Sequence, residues 1–158
     1  MRYDSQLSRL LSAEEINKGI GGEIFFPDLA NTRDDFTPDY ITVAYGTNDW
    51  NKITQNEFES NCFGFFSNLS RTYSSSKIFA ITPIWRKDHT EYRPFGAFEN
   101  TEIIIRNTVS AFKNITLISG IDFVPKDISY FSDLRLHPND LGFEHYSKNL
   151  YEKIKRCL

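Results

Sequence analysis

Three short runs of β-branched and aromatic residues alternate along this chain with longer stretches in which apolar residues recur at helical spacing. The strand-like runs cover residues 38–45, 77–85 and 115–118; the first stops at Gly46, and Pro83 marks the end of the second strand. The helical stretches cover residues 55–74, 98–112 and 139–155. Strands that alternate with helices of this length form βαβ units, which place parallel strands in one sheet with helices on both faces. The sequence therefore predicts an α/β fold built on a parallel sheet.

The amino-terminal part carries a weaker version of the same pattern. Leu7, Leu10 and Leu11 predict a short first helix, and residues 15–17 predict a brief strand before a glycine turn. Further along, Thr54 and the glutamate three residues later have the spacing of a capping box, which predicts that the first long helix begins there.

Length and charge limit the classes of protein that fit. A chain of 158 residues is long enough for one domain, so we expect a single domain over residues 1–158. Lys and Arg number 18 against 21 Asp and Glu, and the resulting net charge of −3 gives no electrostatic indication of binding to nucleic acid or anionic membrane. The expected partner is a small molecule or another protein. The sequence has no signal-peptide pattern and no apolar run of about 18 residues, which predicts a cytoplasmic location.

Cysteine usage argues against a metal centre and against a disulfide scaffold. The two cysteines, Cys62 and Cys157, lie far apart and show no C-x-x-C spacing. We expect one buried apolar thiol and one free thiol near the carboxyl end. Neither a metal nor an organic cofactor is predicted.

Polar residues at the carboxyl ends of the predicted strands are the first candidates for chemistry, because open α/β sheets bind ligands at that edge. Gly46-Thr47-Asn48-Asp49 follows the strand over residues 38–45. The amide of Asn48 supplies two N–H donors that a strand end can aim at one point. The alternative is that Asn48 and Asp49 only cap the next turn, as Asx residues often do.

The glycine turn Gly19-Ile20-Gly21-Gly22 offers a backbone N–H with no side chain in the way. It is not a dinucleotide fingerprint, since the third glycine of G-x-G-x-x-G is missing. The alternative interpretation is an ordinary tight turn.

His137 stands directly before Pro138, at the start of the predicted terminal helix. A histidine in such a loop can act as a general base near neutral pH, and a nearby carboxylate can fix its tautomer. The alternative is a helix-capping loop with an incidental imidazole. His89 lies in a polar loop and His145 within a helix, and we interpret both as solvated or structural.

Taken in order, the segments GIGG, GTND and HPNDLGF, with an aspartate before the last, resemble the blocks of the SGNH, or GDSL, hydrolase family. The resemblance covers the chain from about residue 5 to its end. It implies a three-layer, flavodoxin-like parallel sheet and hydrolysis of an acyl ester by a serine. It also implies His137 as general base, Asp133 as its orienting carboxylate, Asn48 as side-chain oxyanion donor, and Gly22 as backbone oxyanion donor, with Gly21 as the alternative.

The sequence departs from the family at the carboxylate. The family usually has Asp three residues before His, whereas here position 134 is Leu and Asp133 lies four residues before His137. We expect the one extra loop residue to bulge out, which leaves the carboxylate near the imidazole.

The larger departure concerns the nucleophile. The family carries it in a Gly-Asp-Ser-like block at the end of the first, central strand, upstream of the glycine turn. Asp4-Ser5 follows no hydrophobic strand and sits at the start of a predicted helix. We therefore expect an N-terminally incomplete SGNH hydrolase-like domain that lacks its first strand and nucleophile serine. The alternative is a non-catalytic binding module, or a degenerate relic, that has lost the chemistry.

The irregular loop after residue 85 is the candidate substrate contact. Trp85, Tyr92 and Arg93 are predicted to border the pocket, where aromatic rings can stack on a sugar or an acyl chain. The expected substrate is a small-molecule ester, for which an acetylated carbohydrate is one candidate. The alternative is a surface loop anchored by its aromatics. The oligomeric state is left open.

Overall fold

Contacts within the chain divide it into two compact units. A computed structural model describes residues 2–158. The first unit, here called the sheet unit, comprises residues 22–83 and 92–119. The second, here called the terminal unit, comprises residues 2–21, 84–91 and 120–158. The α-helices of the described chain are α1 (Tyr3–Leu11), α2 (Asp49–Lys52), α3 (Gln55–Thr72), α4 (Asn100–Val109) and α5 (Asp140–Lys155).

The sheet unit contains a three-stranded parallel sheet in the order β1 (Tyr40–Val43), β2 (Lys77–Ile81) and β3 (Ile115–Ile118). The central strand, β2, is buried from its second residue to its last. Such a nearly continuous apolar run is typical of a parallel strand that is covered on both faces. The prediction of an α/β fold with a parallel sheet is confirmed.

Each of the three strands is found where the sequence predicted one. β1 is shorter than its predicted run at both ends, whereas β2 ends just before Pro83, the residue predicted to mark its end. β1 ends before Gly46, whose φ of +109° turns the backbone out of the strand conformation. β2 ends before Pro83, which has no N–H to continue a ladder. The shorter strands place Gly46 and Pro83 side by side, and a Cβ on Gly46 would lie 3.0 Å from the Pro83 ring.

The strand predicted at residues 15–17 is wrong. Within residues 2–158 these three residues pair with no strand, and polar side chains among them instead contact the start of α1. The Asn17 amide donates to the carboxylate of Asp4, and a guanidinium nitrogen of Arg2 lies 3.5 Å from a carboxylate oxygen of Glu15. Two polar residues around one exposed isoleucine do not supply the buried face that a strand needs.

The predicted capping box at the start of α3 is confirmed. Thr54 Oγ1 accepts from the backbone N–H of Glu57 at 3.3 Å, and Glu57 Oε2 accepts from the backbone N–H of Thr54 at 2.8 Å. The helix buries an aromatic face against Phe25, whose ring centroid lies 5.4 Å from that of Phe65 and 5.4 Å from that of Phe66. This cluster ties the segment around Phe25 to the core of the sheet unit.

The terminal unit is built on the packing of α1 against α5. The rings of Tyr3 and Tyr146 lie 4.5 Å apart between centroids, and Ser147 donates its hydroxyl to the Tyr3 carbonyl at 3.2 Å. α5 begins at a capped turn in which Asn139 Oδ1 accepts from the backbone N–H of Gly142 at 3.0 Å. The loop that carries His137 leads directly into this cap.

Within residues 2–158, every helix is too short or too polar to cross a lipid bilayer.

Candidate active site

The structure brings His137 and Asp133 together in the terminal unit. Nδ1 of the imidazole lies 2.7 Å from Oδ2 of Asp133, which is hydrogen-bond distance. The His137 side chain is 70% exposed. A carboxylate beside Nδ1 favours the tautomer in which Nδ1 carries the ring proton, so Nε2 is left as the basic nitrogen. This arrangement suits an imidazole that takes a proton from another group.

The second oxygen of Asp133 organises the loop itself. Oδ1 accepts hydrogen bonds from the backbone N–H groups of Arg135, Leu136 and His137, at 3.0, 2.7 and 3.0 Å. Partial burial acts against ionisation, but these N–H groups and the imidazole outweigh it and hold the pKa of Asp133 well below its usual range. Asp133 therefore stays ionised at neutral pH and can stabilise a protonated imidazole.

Leu134 is the first of the three residues between Asp133 and His137. Its φ of +56° lies in the left-handed region, and its side chain is 57% exposed. The backbone thus turns outward at this position and returns to bring His137 back to the carboxylate. The expectation that the carboxylate stays near the imidazole is met, because the four-residue interval still yields a 2.7 Å contact.

The loop is closed by backbone hydrogen bonds on both sides. The N–H of Ser132 donates to the His137 carbonyl at 2.7 Å, and the N–H of Asn139 donates to the Tyr130 carbonyl at 2.9 Å. Gly142, in the first turn of α5, packs so close to Tyr130 that a Cβ there would overlap its carbonyl oxygen. The HPNDLGF segment therefore needs this glycine for packing, a role that the motif alone does not reveal.

In the sheet unit, Asn48 holds the segment that contains Gly22. Its amide nitrogen donates to the Glu23 carbonyl at 3.0 Å, and it makes no side-chain cap to α2. The alternative that the Asn48 side chain only caps the next turn is wrong, because its amide instead bonds to the carbonyl of a residue 25 positions earlier. Gly22 itself is exposed, with φ of +79°, and its carbonyl accepts from Lys52 Nζ.

Asp49 is a buried residue to which the sequence motifs assigned no role beyond a turn cap. Its Oδ1 accepts from the Phe25 N–H at 2.9 Å and its Oδ2 from the Gly46 N–H at 3.0 Å. Burial raises the pKa of Asp49 to about 6, although these two hydrogen bonds lower it. Asp49 thus ties the segment after Gly22 to the turn that follows β1.

The three predicted substrate-contact residues have different environments. Trp85, in the terminal unit, packs edge-on against Phe131 with 5.5 Å between ring centroids. Tyr92, in the sheet unit, is 90% exposed. Arg93, also in the sheet unit, lies 5.1 Å above the ring of the buried Trp50. Of the three, Tyr92 has the exposed ring that stacking on a ligand requires.

Ser5 is the third residue of α1 and does not follow a strand. Its backbone N–H donates to Asp4 Oδ1 at 2.9 Å, and its carbonyl accepts from Ser8 Oγ at 3.1 Å. This setting is that of a helix start rather than a strand-end nucleophile. In the part of the chain that the structure describes, no three His, Cys, Asp or Glu side chains are grouped to hold a metal ion.

Comparison with known proteins finds similarity in structure rather than in sequence. No protein-family model matches the chain, and no curated protein matches it. Solved structures do match. A protein from Bacteroides ovatus described as a GDSL-like lipase superposes with a TM-score of 0.81 and 22% identity over 98% of this chain. The chain spans 46% of the length of that protein.

Two carbohydrate esterases match as well. A family two carbohydrate esterase from Clostridium thermocellum, solved as an active-site mutant, gives a TM-score of 0.70 with 17% identity over 98% of this chain and 53% of its own. A family three carbohydrate esterase from Talaromyces cellulolyticus gives a TM-score of 0.70 with 11% identity over 99% of this chain and 91% of its own. The chain therefore has the α/β fold of the SGNH hydrolases.

Proposed function

We propose that this chain carries the general base and the oxyanion donors of an SGNH-type serine esterase. The observation that carries the proposal is the 2.7 Å contact between His137 Nδ1 and Asp133 Oδ2. It occurs on a fold shared with GDSL-like lipases and carbohydrate esterases. His137 is the base, Asp133 orients it, and Asn48 and Gly22 donate to the oxyanion.

The proposed reaction is acyl transfer in two halves. A serine oxygen attacks the ester carbonyl carbon while Nε2 of His137 takes the serine proton. The ionised Asp133 stabilises the resulting imidazolium through Nδ1. The tetrahedral intermediate then expels the alcohol, which receives its proton from the imidazolium. In the second half, His137 takes a proton from the water that attacks the acyl-enzyme. It then returns this proton to the serine oxygen, and the acid is released.

The negative oxygen of the tetrahedral intermediate needs preorganised donors. The Asn48 amide has two N–H groups, of which the bond to the Glu23 carbonyl uses one. That bond fixes the amide plane and leaves the second donor for the oxyanion. Gly22 is exposed and has no Cβ, so a substrate oxygen can approach its backbone N–H closely. Gly21 is the alternative backbone donor.

In the proposed scheme, residues 2–158 do not supply the nucleophile. Ser5 lies inside α1, and no Gly-Asp-Ser block precedes the glycine turn. We assign the attacking serine to a strand that these residues do not include. The competing function is a binding module that keeps the fold and has no attacking hydroxyl.

For the substrate we propose an ester of small size, and within that class an acetylated carbohydrate. Two of the similar structures are carbohydrate esterases. The side chain of Tyr92 is 90% exposed, and an exposed ring of this kind can stack on a sugar face.

The deciding experiment tests whether an upstream strand supplies the nucleophile. The reading frame upstream of Met1 is sequenced, and the chain is produced with any in-frame strand that ends in Gly-x-Ser. We expect this extended protein to hydrolyse p-nitrophenyl acetate, His137→Ala to abolish the activity, and His145→Ala to leave it unchanged. Activity that survives His137→Ala would remove His137 as the base. A stop codon directly upstream, together with inactivity of an extended chain carrying a family-type strand, would favour the binding module.

A further inference from the structure

A buried ion pair next to the His137 loop carries an inference that rests on the proposed function of His137. We infer that Asp88 is a positioning residue for His137 and that it acts through Arg135. All of the residues involved belong to the terminal unit.

Arg86 and Asp88 form a bidentate pair inside the terminal unit. Arg86 Nε lies 2.5 Å from Asp88 Oδ1, and Arg86 Nη2 lies 2.8 Å from Asp88 Oδ2. The Arg86 side chain is fully buried and that of Asp88 is 4% exposed. The Arg86 hydrogen bonds are the leading cause of a lowered pKa of Asp88, so this carboxylate is charged at neutral pH. A buried charge of this kind is fixed in place by its partner.

Asp88 also reaches the loop that carries the imidazole. Its Oδ2 lies 3.3 Å from Nη1 of Arg135, and the backbone N–H of Lys87 donates to the Arg135 carbonyl at 3.0 Å. Arg135 is therefore held by both its side chain and its main chain. Arg135 stands two residues before His137, and its own N–H donates to the carboxylate of Asp133.

These contacts complement the local turn around Asp133. The turn defines the shape of the loop through bonds that lie within residues 130–139. The bonds from residues 87 and 88 additionally attach the His137 end of this loop to a segment with a fully buried arginine. A catalytic base has to be held within a fraction of an ångström of its working position, so this attachment orients the imidazole.

Asp88 is a poor first target, because its removal leaves Arg86 buried without its partner and can unfold the protein. Arg135→Ala is the better variant, since the Arg135 side chain is 48% exposed and the buried pair stays intact. Arg106→Ala is the matched control. Arg106 also forms a surface ion pair, at 2.7 Å with Glu102, and its side chain is 58% exposed.

The test uses the chain as it stands and needs no turnover. Long-range ¹⁵N–¹H spectra of the histidine side chains at alkaline pH report which ring nitrogen of His137 carries the proton. Amide hydrogen exchange reports how firmly the loop is held. We expect Arg135→Ala to weaken the Nδ1–H signature of His137 and to speed exchange at Leu136 and His137 by about tenfold. The thermal midpoint should stay within a few degrees of the wild type, and Arg106→Ala should change none of these readouts.

An unchanged tautomer signature and unchanged exchange in Arg135→Ala would overturn the inference. Partial restoration in Arg135→Lys, which keeps a charge but has one nitrogen to offer, would support it. In the extended protein the inference predicts a fall in kcat with little change in KM. If the extended protein proves inactive while Arg135→Ala still disturbs His137, the proposed function fails and the positioning role stands.

Discussion

Nδ2 of Asn48 lies 3.0 Å from the carbonyl oxygen of Glu23, so one side-chain amide joins the turn after β1 to the segment that follows the glycine turn. Within the sheet unit, Asp49 reinforces this junction through Phe25. A side chain and a backbone segment that are both proposed to stabilise an oxyanion are thereby fixed to each other. Their mutual geometry does not depend on a substrate.

Asn48→Ala in the extended protein is expected to reduce kcat by roughly 10²–10³, with a smaller change in KM, because the donor acts mainly in the transition state. Steady-state kinetics with p-nitrophenyl acetate measure both constants. Asn51→Ala, an exposed asparagine on α2, is the control. An unchanged kcat would exclude Asn48 from the oxyanion site.

Asp49 is expected to make the free energy of unfolding depend on pH. Burial raises the pKa of its carboxyl to about 6, so the folded protein holds this proton more tightly than the unfolded chain does. The stabilisation is present in full below about pH 4 and is lost as the pH rises through about 6. Urea unfolding across this range should show wild type losing stability relative to Asp49→Asn, by an amount of order 3 kcal/mol. Parallel curves for the two proteins would show that Asp49 does not titrate in this window.

Gly142→Ala should damage the His137 loop. A Cβ at this position would overlap the Tyr130 carbonyl oxygen and would lie 2.9 Å from Cβ of Pro138, so either the loop or the start of α5 must move. We expect a loss of roughly 1–3 kcal/mol in the free energy of unfolding and displaced amide signals at Ser132 and His137. Gly21→Ala is the control, because an added Cβ there has no neighbour within 4 Å. Equal stability of the two variants would contradict the packing described for Gly142.

The two cysteines should react at very different rates. Burial raises the pKa of the Cys62 thiol to about 12, whereas Cys157 is exposed near the carboxyl end. Because the thiolate is the reactive form, a chromogenic disulfide reagent should modify one thiol of the native protein at once and the second only in denaturant. Cys157→Ser should abolish the fast phase. A fast phase that persists in this variant would show that the core around α3 opens readily.

Elements that local chemistry defines were predictable from the sequence. The start of α3 follows from a capping box whose two bonds involve only Thr54 and Glu57, and β2 follows from an unbroken apolar run. The bounds of β1 were less predictable, because they depend on which residues pair with β2. Residues 15–17 were predicted wrongly because their contacts with Arg2 and Asp4 are polar, and hydrophobic periodicity does not encode such contacts.

The candidate site shows the same division between local and long-range features. Sequence motifs pointed to His137 and Asp133, and the structure places them in contact. The bond from the Phe25 N–H to Asp49 spans 24 residues and was not predictable, since nothing in a GTND segment reveals what its acid touches. The bond between Asp88 and Arg135 spans 47 residues and was likewise beyond the reach of motifs.

The left-handed backbone of Leu134 bears on how distant relatives are found. A search pattern that fixes the interval between acid and imidazole at three residues passes over this chain, even though the two groups touch. A pattern that admits one inserted residue at this position, with Gly or Asn accepted because both tolerate positive φ, would retrieve chains with the same loop. In this chain the longer interval removes neither group from the other's reach, because Asp133 Oδ2 and His137 Nδ1 lie 2.7 Å apart.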